Sequence, residues 1–269
     1  MKTSVFFPLF LFAILLTAKQ ASSQNKTDVK PNDRLLSAVS WYQNSGEMEA
    51  LYYQGFNIAH ERVAKALLTH KSGKPLAVVV DIDETMLDNS PYETSLIQQG
   101  EDKNGWKKWT EKAAAKPLPG ALEFASYAQS KKVDVFYITN RDNTERKSTL
   151  ANLVSAGFPY ATEDHLLTRG DTAFSMGNTS SKEGRRTKVS QTHEIVVLLG
   201  DNLNDFSNVF ENRHENNGKA AVQQNMEAFG KKFIILPNPM YGAWEKPVYD
   251  YKEGISEEKK AELMREKLK

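Results

Sequence analysis

The sequence predicts an α/β fold in which helices cover both faces of a doubly wound parallel sheet. Short apolar runs rich in valine, isoleucine, leucine and aromatic residues recur along the chain, separated by segments that favour helix. None of the runs alternates cleanly with polar residues, so we expect each strand to be buried on both faces, as in a parallel sheet. Strands and helices in repeated succession are typical of this fold class. The four runs are residues 76–80, 133–138, 195–199 and 233–236.

The first residues are predicted to form a secretory signal peptide outside the fold. Lys2 gives a positive start, an apolar run covers residues 5–16, and small residues at 21–23 offer a cleavage site before Gln24. The run is short for a membrane span of about 20 residues, although an uncleaved N-terminal anchor is the alternative. With residues 1–23 as the signal peptide, we expect an exported protein, periplasmic or secreted, with no transmembrane segment in its mature chain.

The mature chain is predicted to begin with a polar leader followed by helices. Residues 24–34 carry mostly polar side chains and are expected to be flexible. Residues 35–70 favour helix, with one break at residues 44–46, where an asparagine, a serine and a glycine occur together. A turn at residues 71–75 then leads into the first apolar run.

Further helices are predicted between the runs and at the C-terminus. Asn143 is expected to cap a helix that ends at Gly157, since glycine commonly follows the last helical turn. In the C-terminal segment 251–269, residues 257–269 are predicted to form a charged, exposed helix. The helices between the runs are expected over residues 119–130, 143–157 and 181–191.

The composition excludes several kinds of site. The formal net charge of +1 gives no support for a nucleic-acid polymer as partner. The absence of cysteine excludes disulfides, zinc–thiolate sites, thiol nucleophiles and a lipid-modified cysteine. The five histidines show no metal-ligand spacing, which disfavours a zinc enzyme or a histidine phosphatase. A chain of 269 residues is long enough to fold on its core alone.

Two aspartates follow the first apolar run. In an open α/β sheet the reactive groups lie beyond the carboxyl ends of the strands, and Asp81 and Asp83 come directly after residues 76–80. One aspartate can attack as a nucleophile, while the other can protonate a leaving group and later deprotonate water. Neighbouring carboxylates also favour a bound cation. The alternative is that Asp83 and Glu84 merely cap a helix.

Hydrogen-bond donors follow the second run. Thr139, Asn140 and Arg141 carry a hydroxyl, an amide and a guanidinium that suit phosphate oxygens. Lys182 lies where a helix should begin, and its ammonium could neutralise phosphate and a nucleophilic carboxylate. The alternatives are an ordinary polar loop for the first three residues and a solvated surface position for the lysine.

The third run ends in further acidic residues. Gly200 permits a sharp turn, and Asp201 and Asp205 supply the oxygen ligands that Mg²⁺ prefers. A solvated acidic loop is the alternative. Three strand ends and Lys182 nevertheless supply, in chain order, a nucleophile, phosphate donors, a lysine and metal-binding acids. That order predicts an enzyme that works through a phospho-aspartyl intermediate.

These motifs resemble those of the haloacid dehalogenase superfamily of phosphotransferases. Their extended forms are similar to the class C acid phosphatases, also called the lipoprotein acid phosphatase or 5′-nucleotidase family. The resemblance implies one haloacid dehalogenase-like domain over residues 35–250, with a helical N-terminal part at 35–70 and a smaller helical cap inserted at about 88–118. It covers about residues 35–245. The segments that carry it are residues 41–43, 51–54, 81–92, 118–121, 137–141, 200–203 and 236–242.

The resemblance implies catalytic roles for three residues. Asp81 would be the nucleophile and a Mg²⁺ ligand. Asp83 would act as general acid and base and would bind the metal through its backbone carbonyl. Lys182 would balance the charge of the phosphate. An acid at position 83 favours a phosphatase over a dehalogenase, because a departing halide needs no proton.

The resemblance also implies the remaining contacts of the cofactor and the substrate. Asp201 would be the third protein ligand of the metal, with Asp205 close by, and Thr139 and Asn140 would hold phosphate. Many members of the family carry a lipidated cysteine after the signal peptide, which this chain lacks. A homodimer is a further implication.

Aromatic residues indicate the substrate. In the family, aromatic residues from the cap and from the segment after the fourth strand resemble a clamp for a nucleobase or another ring, and Trp106 and Tyr241 occupy these regions. Alternatively, Trp106 and Trp109 are simply the core of the cap. The expected substrates are nucleoside 5′-monophosphates and aryl phosphates. Two rival functions remain: a non-catalytic envelope protein that binds nucleotides or haem, and a phosphotransferase that uses alcohols as acceptors.

Overall fold

The computed structural model describes residues 33–100, 102–171 and 179–269. The predicted signal peptide and all of the predicted leader except residues 33 and 34 lie outside these residues. The N-terminal region forms helices α1, Leu36–Asn44, and α2, Gly46–Thr69, which confirms the predicted break. Ser45 separates the two helices, and its hydroxyl accepts a hydrogen bond from the Met48 amide at 3.2 Å, as a helix N-cap does.

Within the part of the chain that the structure describes, the strands form one five-stranded parallel sheet and one short antiparallel ribbon. The order of the large sheet is β5-β4-β1-β6-β7, and the ribbon pairs β2 with β3. The chain moves outwards from β1 on one side and returns to β6 on the other, so a crevice opens where β1 and β6 meet. The strands are β1 Leu76–Val80, β2 Leu87–Asp88, β3 Lys116–Pro117, β4 Asp134–Asp142, β5 Leu166–Arg169, β6 Glu194–Gly200 and β7 Phe233–Ile235.

Four strands confirm the predicted apolar runs, and three strands were not predicted. The parallel edge strand β5 is only four residues long. Because Thr168 and Arg169 form its second half, it lacks the apolar run that marks the other strands. β2 and β3 have two residues each, which is too short for any periodicity.

Both faces of the sheet are covered, as the apolar runs predict. Every residue of β1 is buried. Val78 packs in a large cluster with Phe56 of α2, whereas its neighbour Val79 packs in a second cluster with Phe136 and Phe206. Successive side chains of one strand therefore enter opposite apolar layers, as expected for a sheet between two layers of helices.

The remaining helices are α3 to α10. Where a helix was predicted, the observed helix begins within three residues of the predicted start. They are α3 Ser90–Gln99, α4 Gly105–Glu111, α5 Ala121–Ser130, α6 Arg146–Ser155, α7 Glu183–Thr192, α8 Lys219–Gln224, α9 Glu245–Val248 and α10 Glu257–Lys267.

The structure corrects two predictions about these helices: the cap at Asn143 and the exposure of the terminal helix. Asn143 does not cap the helix that leads to Gly157. Asp142 instead caps a short 3-10 turn, Asn143–Glu145, that runs directly into α6: its carboxylate accepts from the Thr144 amide at 3.0 Å, and the Asp142 amide donates to the Glu145 carboxylate at 3.0 Å. Gly157 does follow the helix with a φ of +83°.

The terminal helix α10 is not simply an exposed helix. Its Leu263 is buried against the domain, and Glu257 accepts a hydrogen bond from Arg34 at 2.5 Å. Arg34 also lies 3.1 Å from Glu245, so it joins the N-terminal and C-terminal regions of the described chain. Apolar contact and ion pairing therefore hold α10 against the domain.

A cap segment is inserted between β1 and α5. It contains α3 and α4, and the antiparallel β2–β3 ribbon ties its two ends together at the Leu87–Pro117 pair. The insertion lies beyond the carboxyl end of β1, so it covers one side of the crevice. Among the described residues, no helix combines the length and the apolar character needed to cross a bilayer.

Candidate active site

The carboxyl ends of β1 and β6 bring three aspartates together. Asp81 follows β1 and its amide donates to the Leu199 carbonyl of β6 at 3.0 Å, which fixes the two strand ends side by side. Asp205 turns back over the end of β6, and its carboxylate accepts from the Asn202 amide at 2.9 Å. A Cβ on Gly200 would collide with that carboxylate. The glycine is therefore required for the close approach.

Lys182 lies between two of these aspartates. Its buried ammonium group contacts Asp81 Oδ1 and lies 2.6 Å from Asp205 Oδ1. Burial alone would lower the pKa of Lys182, but the charges of Asp205 and Asp81 outweigh it and raise the pKa above the ordinary value. The lysine is therefore a fixed positive charge in the acidic cluster.

The three aspartates offer a site for a divalent cation. Asp81, Asp201 and Asp205 each present a carboxylate oxygen, and these oxygens all lie within 4.8 Å of one another. Burial and mutual repulsion raise the pKa of Asp81, against the pull of Lys182, and raise that of Asp201 far above its usual range. The cluster has more acidic than basic groups, and carboxylate oxygens are the ligands that a hard divalent cation prefers. The residues present therefore fit such an ion. The amide of Asn238 donates to Asp201 at 2.7 Å and orients it.

The carboxylate of Asp83 points away from this cluster. Its Oδ1 accepts from Arg141 Nη2 at 2.7 Å, Asn89 Nδ2 at 2.8 Å and Arg141 Nε at 3.0 Å. Asp83 could thus reach the cation only through its backbone carbonyl, which is the contact that the family resemblance implies. The Arg141 side chain, with 1% exposed area, is committed to Asp83 rather than open to a phosphate. In this structure the guanidinium of Arg141 is paired with Asp83, and the interpretation of Arg141 as a phosphate ligand stays a prediction.

Thr139 and Asn140 take different places at the end of β4. Thr139 is fully buried, and its hydroxyl accepts from the Arg141 amide at 3.1 Å. Asn140 reaches the cavity, and its Oδ1 accepts from Arg185 Nη2 at 2.6 Å, while no described residue accepts from its side-chain N–H groups, which can therefore serve a ligand. Arg185, which sequence reasoning missed, also donates to the Thr139 carbonyl. Arg185 follows Lys182 by three residues, a spacing that places both side chains on one face of a helix. This spacing was the signal in the sequence that could have identified Arg185 as a site residue.

The two tryptophans of the cap have different surroundings. Trp106 lines the cavity, and the guanidinium of Arg141 lies 5.6 Å from the centre of its ring. Trp109 does not line the cavity, and its indole N–H donates to Asn89 Oδ1 at 2.8 Å. Of the two tryptophans, only Trp106 therefore lies where a clamp residue would be needed, and the clamp itself stays a prediction.

Tyr241 also lines the cavity. Its hydroxyl donates to Glu84, a fully buried residue whose other carboxylate oxygen accepts from the Asn89 amide at 2.7 Å. Burial, reinforced by Asp83 and Asp201, raises the pKa of Glu84 far above its usual range. Glu84 also accepts at its backbone carbonyl from Tyr52 of α2 at 2.6 Å. The N-terminal helices thus support the loop that carries the aspartates.

One cavity of about 580 Å³ joins these groups. Thr139 is the one predicted site residue that does not line it, because its hydroxyl is enclosed. Sequence reasoning did not assign site roles to Asn89, Glu84 and Asn238, although each lies inside a motif that carries the family resemblance. The predicted residues that line the cavity are Asp81, Asp83, Trp106, Asn140, Arg141, Lys182, Asp201, Asp205 and Tyr241.

Comparisons with known proteins show which family the chain resembles. Two structures of the class C acid phosphatase from Bacillus anthracis, one of them with tungstate bound, are 41% identical to the chain, with TM-scores of 0.81 and 0.82. Each comparison covers 88% of this chain and 98% of the other. Acid phosphatase 1 of tomato (Solanum lycopersicum) is 27% identical over 165 residues, 61% of this chain. The chain spans 57% of the length of that tomato protein.

The family is established by a match to most of the chain. The family model described as the haloacid dehalogenase superfamily, subfamily IIIB, acid phosphatase, matches residues 14–244. This range includes every candidate site residue described above, from Asp81 to Tyr241. The resemblance found in the sequence motifs is thereby confirmed. The chain belongs to the subfamily IIIB acid phosphatases of the haloacid dehalogenase superfamily.

Proposed function

We propose that this protein is a magnesium-dependent acid phosphatase that hydrolyses small phosphomonoesters through a phospho-aspartyl intermediate on Asp81. One observation carries the proposal: the buried Asp81 carboxylate lies against Lys182 within the acidic cluster, while Asp83 lies apart from it on the same cavity. The tungstate-bound relative from Bacillus anthracis supports it, because tungstate is an oxoanion like phosphate.

The reaction proceeds in two displacements. An oxygen of Asp81 attacks phosphorus, the bond from phosphorus to the leaving oxygen breaks, and Asp83 gives its proton to that oxygen. Asp83, now ionised, then takes a proton from a water molecule as the water oxygen attacks phosphorus. The bond between Asp81 and phosphorus breaks, and the products are the alcohol and inorganic phosphate.

Most of the rate enhancement comes from charge and position. Uncatalysed phosphomonoester hydrolysis is so slow that the enzyme must lower the barrier by on the order of 20 kcal/mol or more. Lys182 and the free N–H groups of Asn140 face the phosphoryl oxygens, where fixed donors stabilise the developing charge. Asp81, Asp201 and the Asp83 carbonyl, with Asp205 nearby, would hold a Mg²⁺ ion, which would supply further positive charge to the phosphoryl group.

The substrate is proposed to carry a ring. Trp106 and Tyr241 line the same cavity as Asp81, and a volume of about 580 Å³ is ample for a nucleoside monophosphate. Stacking of a base or phenyl ring on such side chains contributes about 1–3 kcal/mol. Nucleoside 5′-monophosphates and aryl phosphates are therefore the proposed substrates.

Export is a separate proposal. The positive start, apolar run and small residues within residues 1–23 support secretion of a protein that begins at Gln24. Sequencing the N-terminus of the protein recovered from the periplasm or the medium tests this. An intact residue 1 in the exported protein would instead support an uncleaved anchor.

The deciding experiment measures phosphate release from AMP and p-nitrophenyl phosphate, with Mg²⁺ and with chelator. Asp81→Asn should abolish turnover, whereas Asp250→Asn, which affects only surface ion pairs with Lys267 at 2.7 Å and Lys252 at 3.9 Å, should not. A folded wild-type protein that releases no phosphate from either ester would instead favour a binding protein. Phosphate transfer to an added alcohol would indicate a phosphotransferase.

A further inference from the structure

The two carboxylate oxygens of Asp83 have unequal environments. Oδ1 receives three short hydrogen bonds, two from Arg141 at 2.7 and 3.0 Å and one from Asn89 at 2.8 Å. Oδ2 has only longer contacts, with Arg141 Nε at 3.3 Å and Thr139 Oγ1 at 3.4 Å. A carboxyl group gives and takes its proton at the oxygen whose lone pairs are free. Oδ2 is therefore the oxygen available for proton transfer.

Arg141 is built to hold the other oxygen. Its guanidinium is buried and planar. Nε and Nη2 both donate hydrogen bonds to Asp83, an arrangement that the single ammonium group of lysine cannot reproduce. Nη1 donates to Thr149 at 3.3 Å, and the ring of Trp106 packs against the guanidinium. These contacts hold the guanidinium from several sides, and the guanidinium in turn orients Asp83.

The contacts of Arg141 contrast with those of a phosphate ligand. A phosphate-binding guanidinium presents its N–H groups to the cavity, whereas here Nε, Nη1 and Nη2 all have protein acceptors. The side chain still touches the cavity wall beside Asp83. Its effect on the reaction must therefore pass through Asp83.

We propose that Arg141 is a positioning residue that anchors Asp83 by Oδ1, so that Oδ2 exchanges the proton with the leaving oxygen and with water. This proposal rests on the proposed function. In the first displacement the Oδ2–H bond breaks and the alcohol takes that proton. In the second, Oδ2 receives a proton from the attacking water. Oδ1 keeps its hydrogen bonds from Arg141 and Asn89 throughout.

The test varies the leaving group and keeps the ring. Phenyl phosphate expels a more basic oxygen than p-nitrophenyl phosphate, so it depends more on a proton from Asp83. We expect Arg141→Gln to lower kcat/KM about 100-fold for phenyl phosphate, the lower range for a lost general acid, and about tenfold or less for p-nitrophenyl phosphate. Arg141→Lys should also lower kcat/KM more for phenyl phosphate than for p-nitrophenyl phosphate, because a single ammonium group cannot hold the Asp83 carboxylate in one orientation as the planar guanidinium does.

A matched control separates this effect from loss of stability. Arg146 is another arginine with little exposed area, paired with Glu163 at 2.5 Å and Asp171 at 2.6 Å outside the cavity. Arg146→Gln should lower the melting temperature without changing the ratio of the two kcat/KM values. Arg141→Lys retains the buried positive charge and decides the question if Arg141→Gln does not fold.

The outcomes distinguish the two proposals. Equal losses for both esters, or a rise in KM with kcat unchanged, would overturn the anchoring role and return Arg141 to phosphate binding. An Asp81→Asn variant that keeps wild-type turnover would instead overturn the proposed function itself. Unequal losses together with an inactive Asp81→Asn variant would support both.

Discussion

Lys182 Nζ lies 2.6 Å from Asp205 Oδ1 in the interior of the site, and the same ammonium group contacts Asp81. A buried ion pair of this kind balances a large desolvation cost against charge attraction. Removing the lysine alone leaves two buried carboxylates without a counter-ion. A divalent cation at the same cluster would compensate the same negative charge. Stability in this region should therefore depend jointly on Lys182 and on metal.

Lys182→Met is expected to destabilise the metal-free protein by about 3–5 kcal/mol, the usual result of breaking a buried pair from one side. Mg²⁺ should restore part of this loss, because it neutralises Asp81 and Asp205. Chemical denaturation with Mg²⁺ and with chelator measures both effects. Lys231→Met is the control, since Lys231 is exposed and pairs with Glu227 on the surface. Wild-type stability of Lys182→Met in chelator would contradict the prediction.

Metal binding should be visible without any turnover. At Mg²⁺ concentrations about 100-fold above its dissociation constant, the native state should gain about 2.7 kcal/mol. Asp201→Asn should remove most of this gain, because the amide carries no charge to offer the ion. The variant should be at least as stable as wild type in chelator, since burial and repulsion already raise the pKa of Asp201. Thermal unfolding of both proteins with and without Mg²⁺ checks this.

An equal Mg²⁺-dependent shift in wild type and Asp201→Asn would place the cation elsewhere. Glu227→Gln supplies the matched control, because it removes an exposed carboxylate far from the cluster. That variant should keep the full response to Mg²⁺.

The strand ends could be predicted because local sequence carries the needed information. Each apolar run identifies a strand, and parallel strands place whatever follows them at one edge of the sheet. Asp81, Asp201 and Asp205 meet for this reason. The edge strand β5 escaped prediction because Thr168 and Arg169 interrupt its apolar pattern after two residues.

The contacts that orient the site could not be predicted in the same way. Arg141 and Asp83 are 58 positions apart, and Tyr241 and Glu84 are 157 apart. Residue type gives only the capacity to bond, so Arg141 suited phosphate and a carboxylate equally well before packing was known. Burial behind Trp106 is what commits it to Asp83.

Ring recognition should depend on Tyr241 through its ring rather than its hydroxyl. Tyr241→Ala is expected to lower kcat/KM for AMP by the equivalent of about 1–3 kcal/mol, with a much smaller effect on glycerol phosphate. Tyr241→Phe is the matched control, because it keeps the ring and removes the hydrogen bond to Glu84. It should keep the preference for AMP but lose about 1–3 kcal/mol of stability, since a buried Glu84 oxygen is left unpaired.

Steady-state kinetics on both substrates, together with denaturation curves, separate the two effects. Equal losses for AMP and glycerol phosphate in Tyr241→Ala would show that the ring does not contact the substrate base. Loss of the AMP preference in Tyr241→Phe would transfer that role to the hydroxyl.

Glu93 should make stability fall as pH rises. It is buried on α3, and desolvation, reinforced by Glu245 and opposed by Arg34, raises its pKa to about 7. In the unfolded chain a glutamate titrates near pH 4.3, so between about pH 4.3 and 7 the native state holds a proton that the unfolded state has lost. The contribution is complete below about pH 4 and is lost as pH rises to about 7, by on the order of 3 kcal/mol.

Glu93→Gln isolates this contribution, because the amide remains neutral at every pH. Other buried acids, including Asp81, also favour the native state at low pH, so wild type and variant should both lose stability as pH rises. The quantity to compare is the free energy of unfolding of the two proteins. It should be nearly equal at pH 4.5, and the variant should be the more stable protein at pH 8. Denaturation at the two pH values gives it directly. A variant that is no more stable than wild type at pH 8 would mean that Glu93 ionises without cost, with Arg34 as its counter-ion.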